Sequence, residues 1–275
     1  AIGIAVRAIA PCIKSKEQDP AVICIDERGQ NVIPILSGHI GGANRLSLKI
    51  AEIIGANPVI TTATDINGRF AVDEWATVRG MHITSLEKAR EISAAILEGE
   101  KIGFYSDFDI KGELPVEFSI NAEKIGICVS LDENRKPFEI TLNLIPKILS
   151  VGLGCRRNTD FVQIYNAIKE VLTKNEFSCF GIKSLNSIDI KKDEDGIIKT
   201  AEMFKVPFNT YSKEALNKIE GQFTESIFVK QTVGVDTVSE RSAVQGSNSK
   251  NLVIKKTIVN SVTVAVAIDE YILEF

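Results

Sequence analysis

The sequence predicts an α/β fold of two lobes, with parallel or mixed sheets flanked by helices and a β-rich connector between them. Three observations carry this. Apolar β runs alternate with segments of helical spacing in both halves of the chain. A glycine-rich turn follows an apolar run twice, as SGHIGGAN from Ser37 and as GLGCRRNT from Gly152. Between them, polar interruptions at Asp107, Asp109, Glu113 and Pro115 give way to two short β runs whose apolar content stays high. The expected organisation is a first α/β lobe over 1–105, a connector over 106–146 and a second α/β domain over 147–275. The chain starts at Ala1 inside an apolar run, so the first lobe is expected to lack its true N-terminus.

Taken in order, residues 2–9 (IGIAVRAI) are expected as a buried strand or sheet edge carrying Arg7. Residues 14–19 read as a polar loop. Residues 21–26 and 31–36 form a hairpin around Glu27-Arg28-Gly29-Gln30. The helix behind the first glycine turn runs from Arg45 to a glycine stop at Gly55. A short strand over 58–61 ends in Thr61-Thr62-Ala63-Thr64-Asp65, and open α/β sheets place ligands at such strand ends. Helices are expected over 73–78 and 87–97, and strands over 101–105, 125–131 and 139–145. The second half reads as a buried strand over 147–155 and a helix over 160–172 with Thr159 as its cap. Strand 182–190, helix 195–204, strand 207–211 and helix 213–219 follow. Helical patches near 226–231 and 239–245 precede the closing strands 252–256 and 261–268.

The 275 residues allow an ample core, and the net charge of −4 argues against a general nucleic-acid binder. No apolar run approaches the length of a membrane span, and no signal peptide is visible. The five cysteines are odd in number and none forms C-x-x-C, which fits a reducing cytoplasm.

The first glycine turn joins a strand to a helix and holds His39, one of two histidines. Gly38, Gly41 and Gly42 let backbone approach a ligand, and a helix start offers N–H groups to an anion or a developing oxyanion. Ser37, Asn44, Thr61, Thr62 and Thr64 add polar groups around it, with Asp65 beside them. His82 opens an apolar run and reads as structural. In the second turn, Gly152 and Gly154 begin like a dinucleotide fingerprint, but Arg157 stands at the third glycine position, so a Rossmann site is rejected. Cys155 reads as a small buried hydrophobe. Among ten arginines, Arg7, Arg45, Arg69, Arg156 and Arg157 lie in or beside polar or glycine-rich turns, which in an acidic protein suggests carboxylate or phosphate recognition. Asp73-Glu74 and Asp193-Glu194-Asp195 read as helix-start carboxylates. No metal-ligand spacing and no G-x-S-x-G elbow occurs.

The strings GIAVRAIAP, LSGHIGGAN, PVITTATDINGRFAVDEWA, YSDFDIKGELP, VGLGCRRNT and SVTVAVA, in this order, resemble the CbiG family of cobalamin biosynthesis over nearly the whole chain. The family carries a further α/β portion before Gly3, usually a glycine at Asn158, and VSEPAA where this chain reads VSERSA from Val238. The resemblance implies hydrolysis of cobalt-precorrin-5A: water opens a ring-A δ-lactone and the extruded carbon leaves as acetaldehyde. It implies a flat polycarboxylate substrate that carries its own cobalt, no cofactor and no protein-bound metal. His39 is then the expected general base, with Asp65 as the alternative base and Gly41 and Gly42 as oxyanion donors. Arg7, Arg156 and Arg157 are expected to bind substrate with the polar turn residues, in a cleft shared by the two glycine turns. Other cobalamin-pathway enzymes and a second copy of the chain stay open as partners. A non-catalytic corrinoid carrier and a phosphate- or nucleotide-binding α/β enzyme remain alternatives.

Overall fold

The computed structural model describes residues 1–15, 18–119, 121, 124–224 and 234–275. The helical patch expected near 226–231 lies outside the described residues. The protein is mixed α/β, with three sheets of three or more strands flanked by helices.

The N-terminal part corrects the first expectation. Residues Ile2–Ile9 form a helix, α1, with no buried residue. A strand needs a neighbour to satisfy its amides, whereas a helix satisfies them internally. Among the described residues no strand pairs with this segment. The hairpin of β1 (Val22–Ile25) and β2 (Asn31–Leu36) forms as expected, and β3 (Asn57–Pro58) adds parallel to β2. Between β2 and β3 runs α2 (Ala43–Ile54), closed by Gly55 at φ 71°. The expected strand over 58–61 ends at Pro58. The chain then turns into a single helical turn, α3 (Ala63–Ile66), with Thr62 at its N-cap position. Helix α4 (Val72–Val78) and β4 (Met81–Ile83) follow.

The middle sheet has the order β4-β9-β8-β5-β7. Helix α5 (Leu86–Leu97), capped by the Ser85 hydroxyl, leads into β5 (Ile102–Ser106). Residues 106–146, expected as a connector, supply β6 (Ile110–Lys111), β7 (Phe118–Ser119), β8 (Ile125–Val129) and β9 (Ile140–Pro146). Both β7 and β8 pair parallel to β5, and β9 pairs parallel to β8. The break expected at 105/106 therefore falls within one hydrogen-bonded sheet, while residue 146 ends its last strand.

The C-terminal sheet has the order β12-β11-β10-β14-β13. Strands β10 (Leu149–Gly154), β11 (Ile182–Ile188) and β12 (Phe208–Tyr211) are parallel, and β13 (Asn251–Val259) and β14 (Val262–Ile268) complete the sheet antiparallel. Residue size alternates along the central strands with the period of a strand. Leu149, Val151 and Leu153 of β10 and Val262, Val264 and Val266 of β14 meet α6 (Phe161–Lys174) and α7 (Asp195–Phe204) in the main core. The other face carries Ser150, Gly152, Ala265 and Ala267. These small residues admit α9 (Val238–Gly246), which follows α8 (Lys213–Asn217) among the described helices. The cap of α6 is Asp160, which accepts from the Val162 N–H, and not Thr159, whose hydroxyl donates to the Arg156 carbonyl.

No helix among the described residues is long and apolar enough to cross a membrane. All five cysteines are free thiols.

Candidate active site

The first glycine turn closes on itself. The Gly42 N–H donates to the His39 carbonyl at 2.9 Å, Ala43 to Ser37 at 3.0 Å and Asn44 to Gly38 at 3.0 Å. The amides of Gly42, Ala43 and Asn44 are thus committed inside the turn, so the Gly42 N–H is not free for the oxyanion role expected of it. Ser37 takes φ 57°, the left-handed region that non-glycine residues seldom enter. The glycines serve the tightness of this loop: a Cβ at Gly41 would meet Ser37 Cβ at 2.3 Å, and one at Gly38 would meet Asn44 Oδ1 at 2.7 Å.

That loop turns His39 inward between two carboxylates. His39 Nδ1 lies 2.9 Å from Asp73 Oδ1, and Nε2 lies 3.1 Å from Asp65 Oδ2. The side chain of Asn44 donates to the same Asp65 oxygen at 2.7 Å and to Thr62 Oγ1 at 2.9 Å. Thr64 Oγ1 stands 3.5 Å from Nε2. Four sequence-predicted residues therefore converge on His39 from α2 and the start of α3. The hydrogen bond and charge of Asp73, assisted by Asp65, raise the His39 pKa to about 9 against the opposing effect of burial. At neutral pH the ring is an imidazolium with both nitrogens donating. In that form it has no lone pair to accept a proton, so this geometry favours a charge-bearing role for His39 beside the general-base role expected of it.

Asp73 was read as a helix-start carboxylate; its role against His39 is a tertiary one, across 34 residues of sequence with no spacing signal. Its neighbour Glu74 is held above the usual carboxylate range, mainly by burial. Ligand atoms of His39, Asp65 and Glu74 lie within 4.8 Å of one another, close enough to hold a cation among the described residues. No i, i+3 or i, i+4 spacing in the sequence announces that group. His39, Thr62, Thr64 and Asp73 open on a cavity of about 310 Å³ walled by Arg90 and the apolar residues of α5.

The remaining predicted residues are dispersed. Thr61 is exposed and makes no hydrogen bond to the His39 cluster. Arg7 is exposed on α1 and lines neither cavity. Gly154 and Arg156 line a second cavity, in the C-terminal domain, which shares no residue with the first. Gly152 is buried and its missing side chain serves packing: a Cβ there would meet the Ser239 carbonyl at 1.8 Å. Arg157 lines a different depression from Arg156, one that Asp160, Asp193 and Asp195 also line. Cys155 is half-buried with its pKa raised by burial, as fits a packing residue. His82 stacks on Phe180 at 3.8 Å, and burial beside Lys147 lowers its pKa, in keeping with a structural role.

The fold and this cluster define a multi-part α/β protein with a buried carboxylate–histidine–carboxylate site. Three family models match successive segments: cobalamin synthesis G N-terminal over 1–65, cobalamin biosynthesis central region over 70–146, and cobalamin synthesis G C-terminus over 149–267. The chain is 38% identical over 256 residues to a cobalt-precorrin-5A hydrolase of Salmonella typhimurium, covering 88% of this chain and 73% of that one. It is 34% identical over 289 residues to one of Priestia megaterium, covering 98% and 77%. A crystal structure of a cobalamin biosynthesis protein G homologue from Sulfolobus solfataricus aligns over 98% of this chain and 80% of that one, at 27% identity and a TM-score of 0.39. The chain belongs to the cobalamin biosynthesis G family, CbiG.

Proposed function

We propose that the protein is a cobalt-precorrin-5A hydrolase that opens the ring-A δ-lactone of its cobalt-bound tetrapyrrole and releases acetaldehyde. The observation that carries the reading is the match to relatives of that name over most of the chain, beginning with 38% identity over 256 residues. The His39 cluster supports a chemistry for it. Asp65 Oδ2 is held by His39 and Asn44, while Oδ1 has no hydrogen bond among the described residues. Its side chain is 27% exposed, so Oδ1 is available to a water molecule. Asp65 takes a proton from that water as its oxygen adds to the lactone carbonyl carbon. The imidazolium of His39 places positive charge beside the oxyanion that develops, and Asp73 fixes its ring. The ring ester C–O bond breaks and the leaving alkoxide takes the proton back from Asp65. The freed hydroxyl then becomes the carbonyl of acetaldehyde: Asp65, a carboxylate again, takes its proton, the carbon–carbon bond to the macrocycle breaks, and the electron pair stays with the macrocycle.

Incubation of purified protein with cobalt-precorrin-5A, with acetaldehyde measured by a coupled reduction, tests this. Stoichiometric acetaldehyde supports the hydrolase. Tight binding of the corrinoid without acetaldehyde overturns it in favour of a carrier.

A further inference from the structure

The second cavity contains chemistry that the His39 cluster does not use. It measures about 260 Å³ and lies where the parallel strands β10 and β11 end, facing the start of α9. In open α/β sheets this is where ligands bind. Thr237 occupies the N-cap position of α9, yet its side chain makes no capping hydrogen bond. Thr237 and Ser239 are each 1% exposed, both line the cavity, and neither hydroxyl has a hydrogen-bond partner among the described residues. Buried hydroxyls are ordinarily satisfied, so two orphans side by side at one helix start point to an absent acceptor. The first N–H groups of a helix also lack intrahelical partners and carry the positive end of its dipole. Three cations, Arg156, Lys191 and Lys256, line the same cavity. Lys191 is paired with Glu194 at 3.0 Å, while Arg156 and Lys256 enter no ion pair among the described residues. Ile188, Ile190 and Val238 supply an apolar wall.

We propose that this cavity is a carboxylate subsite, in which the start of α9 with Thr237 and Ser239 receives an acidic arm of the tetrapyrrole while Arg156 and Lys256 neutralise it. The apolar wall suits the aliphatic stem of such an arm. The proposal rests on the substrate class given above, and it assigns that class a docking point outside the His39 cluster.

Calorimetric titration of the full chain tests it without turnover. The probes are cobalt uroporphyrin, a cobalt macrocycle rich in carboxylate arms, a cobalt tetrakis(N-methylpyridyl)porphyrin that has none, and inorganic phosphate. Thr237→Val and Lys256→Gln are each expected to weaken uroporphyrin binding by about tenfold, the loss of one hydrogen bond to a charged group. Ligand-free Thr237→Val should melt no lower than the parent, because it removes an unpartnered buried hydroxyl. A purely structural Thr237 would show the opposite pair of results, a lowered melting temperature and unchanged affinity. Parental affinity in both variants overturns the subsite, as does equal binding of the cationic macrocycle. Phosphate binding that the same variants abolish, with no uroporphyrin binding, also overturns it and identifies a free-phosphate site instead. Because the readout is affinity, acetaldehyde release by the parent stands or falls separately.

Discussion

At the residue scale, the charge on His39 governs both stability and rate. Its pKa is raised from 6.5 to about 9, so the folded state binds this proton more tightly than the unfolded chain. The stability it contributes is complete below about pH 6.5 and is lost as pH rises through about 9. Thermal melting of the parent should fall across that window. His39→Gln should melt below the parent at pH 6.5 and show a flatter profile, because it removes the charge from the hydrogen bonds to Asp73 and Asp65, a loss of about 1.5–3 kcal/mol. Acetaldehyde release should likewise hold from neutral pH up to about 9 and decline above it, as the imidazolium loses its charge. A rate that instead rises through that pH would restore His39 as the base. Asp65→Asn keeps a similar shape and removes the proton acceptor, so kcat should drop by about 10²–10⁴-fold with little change in melting temperature. Parental kcat in that variant would assign the base elsewhere.

At the element scale, the alternation in β10 decides where α9 can pack. A side chain at Gly152 would meet the Ser239 carbonyl at 1.8 Å and the Ala243 amide nitrogen at 2.6 Å, both of them backbone. Neither atom can rotate away, so Gly152→Ala must push the helix off the sheet. The expected cost is at least the upper end of the overpacking range of about 1–3 kcal/mol, read as a lowered urea midpoint. Retained stability would mean that α9 slides without loss. The turn after β10 explains a second position. Asn158 takes φ 59° and its N–H donates to Glu194. Glycine suits that conformation best and asparagine is among the few side chains that tolerate it. The glycine usual in the family and the asparagine here answer one backbone requirement.

At the scale of the whole molecule, residues 271–275 return to the core of the middle sheet and form a two-stranded sheet beside it. β15 (Leu273–Glu274) pairs parallel to β6, and the Trp75 indole N–H donates to the Glu274 carbonyl at 2.9 Å. Phe275 stacks on Trp75 with centroids 4.9 Å apart, and Glu274 pairs with Arg79 and Lys111. Tyr271 and Phe108 pack against both main cores. The strand that closes the C-terminal sheet thereby leads into a clasp on the middle one. Leu273 is fully buried in the middle core, so Leu273→Ala should cost about 2–5 kcal/mol and loosen that clasp. Emission of Trp75, the single tryptophan, should shift to the red as water reaches it. An unshifted emission maximum would show the clasp intact.

Most elements were legible because their signals are local. The apolar β runs of β2, β10 and β14 and the helical spacing closed by Gly55 each act within a few residues. So did the presence of His39, Asn44, Thr62, Thr64 and Asp65 around one turn. What tertiary structure decided depends on neighbours that no short window contains. Residues 2–9 became a helix because no strand lay beside them to take their amides. The glycines at 38 and 41 let the loop close tightly, with the N–H groups of Gly42, Ala43 and Asn44 taken by the loop's own carbonyls. Asp73 reaches the second nitrogen of His39 from another helix and favours its charged form. The sequence by itself determined most elements and the polar residues around His39; the protonation of these residues and their partners, Asp73 among them, were decided by the distances that packing imposed.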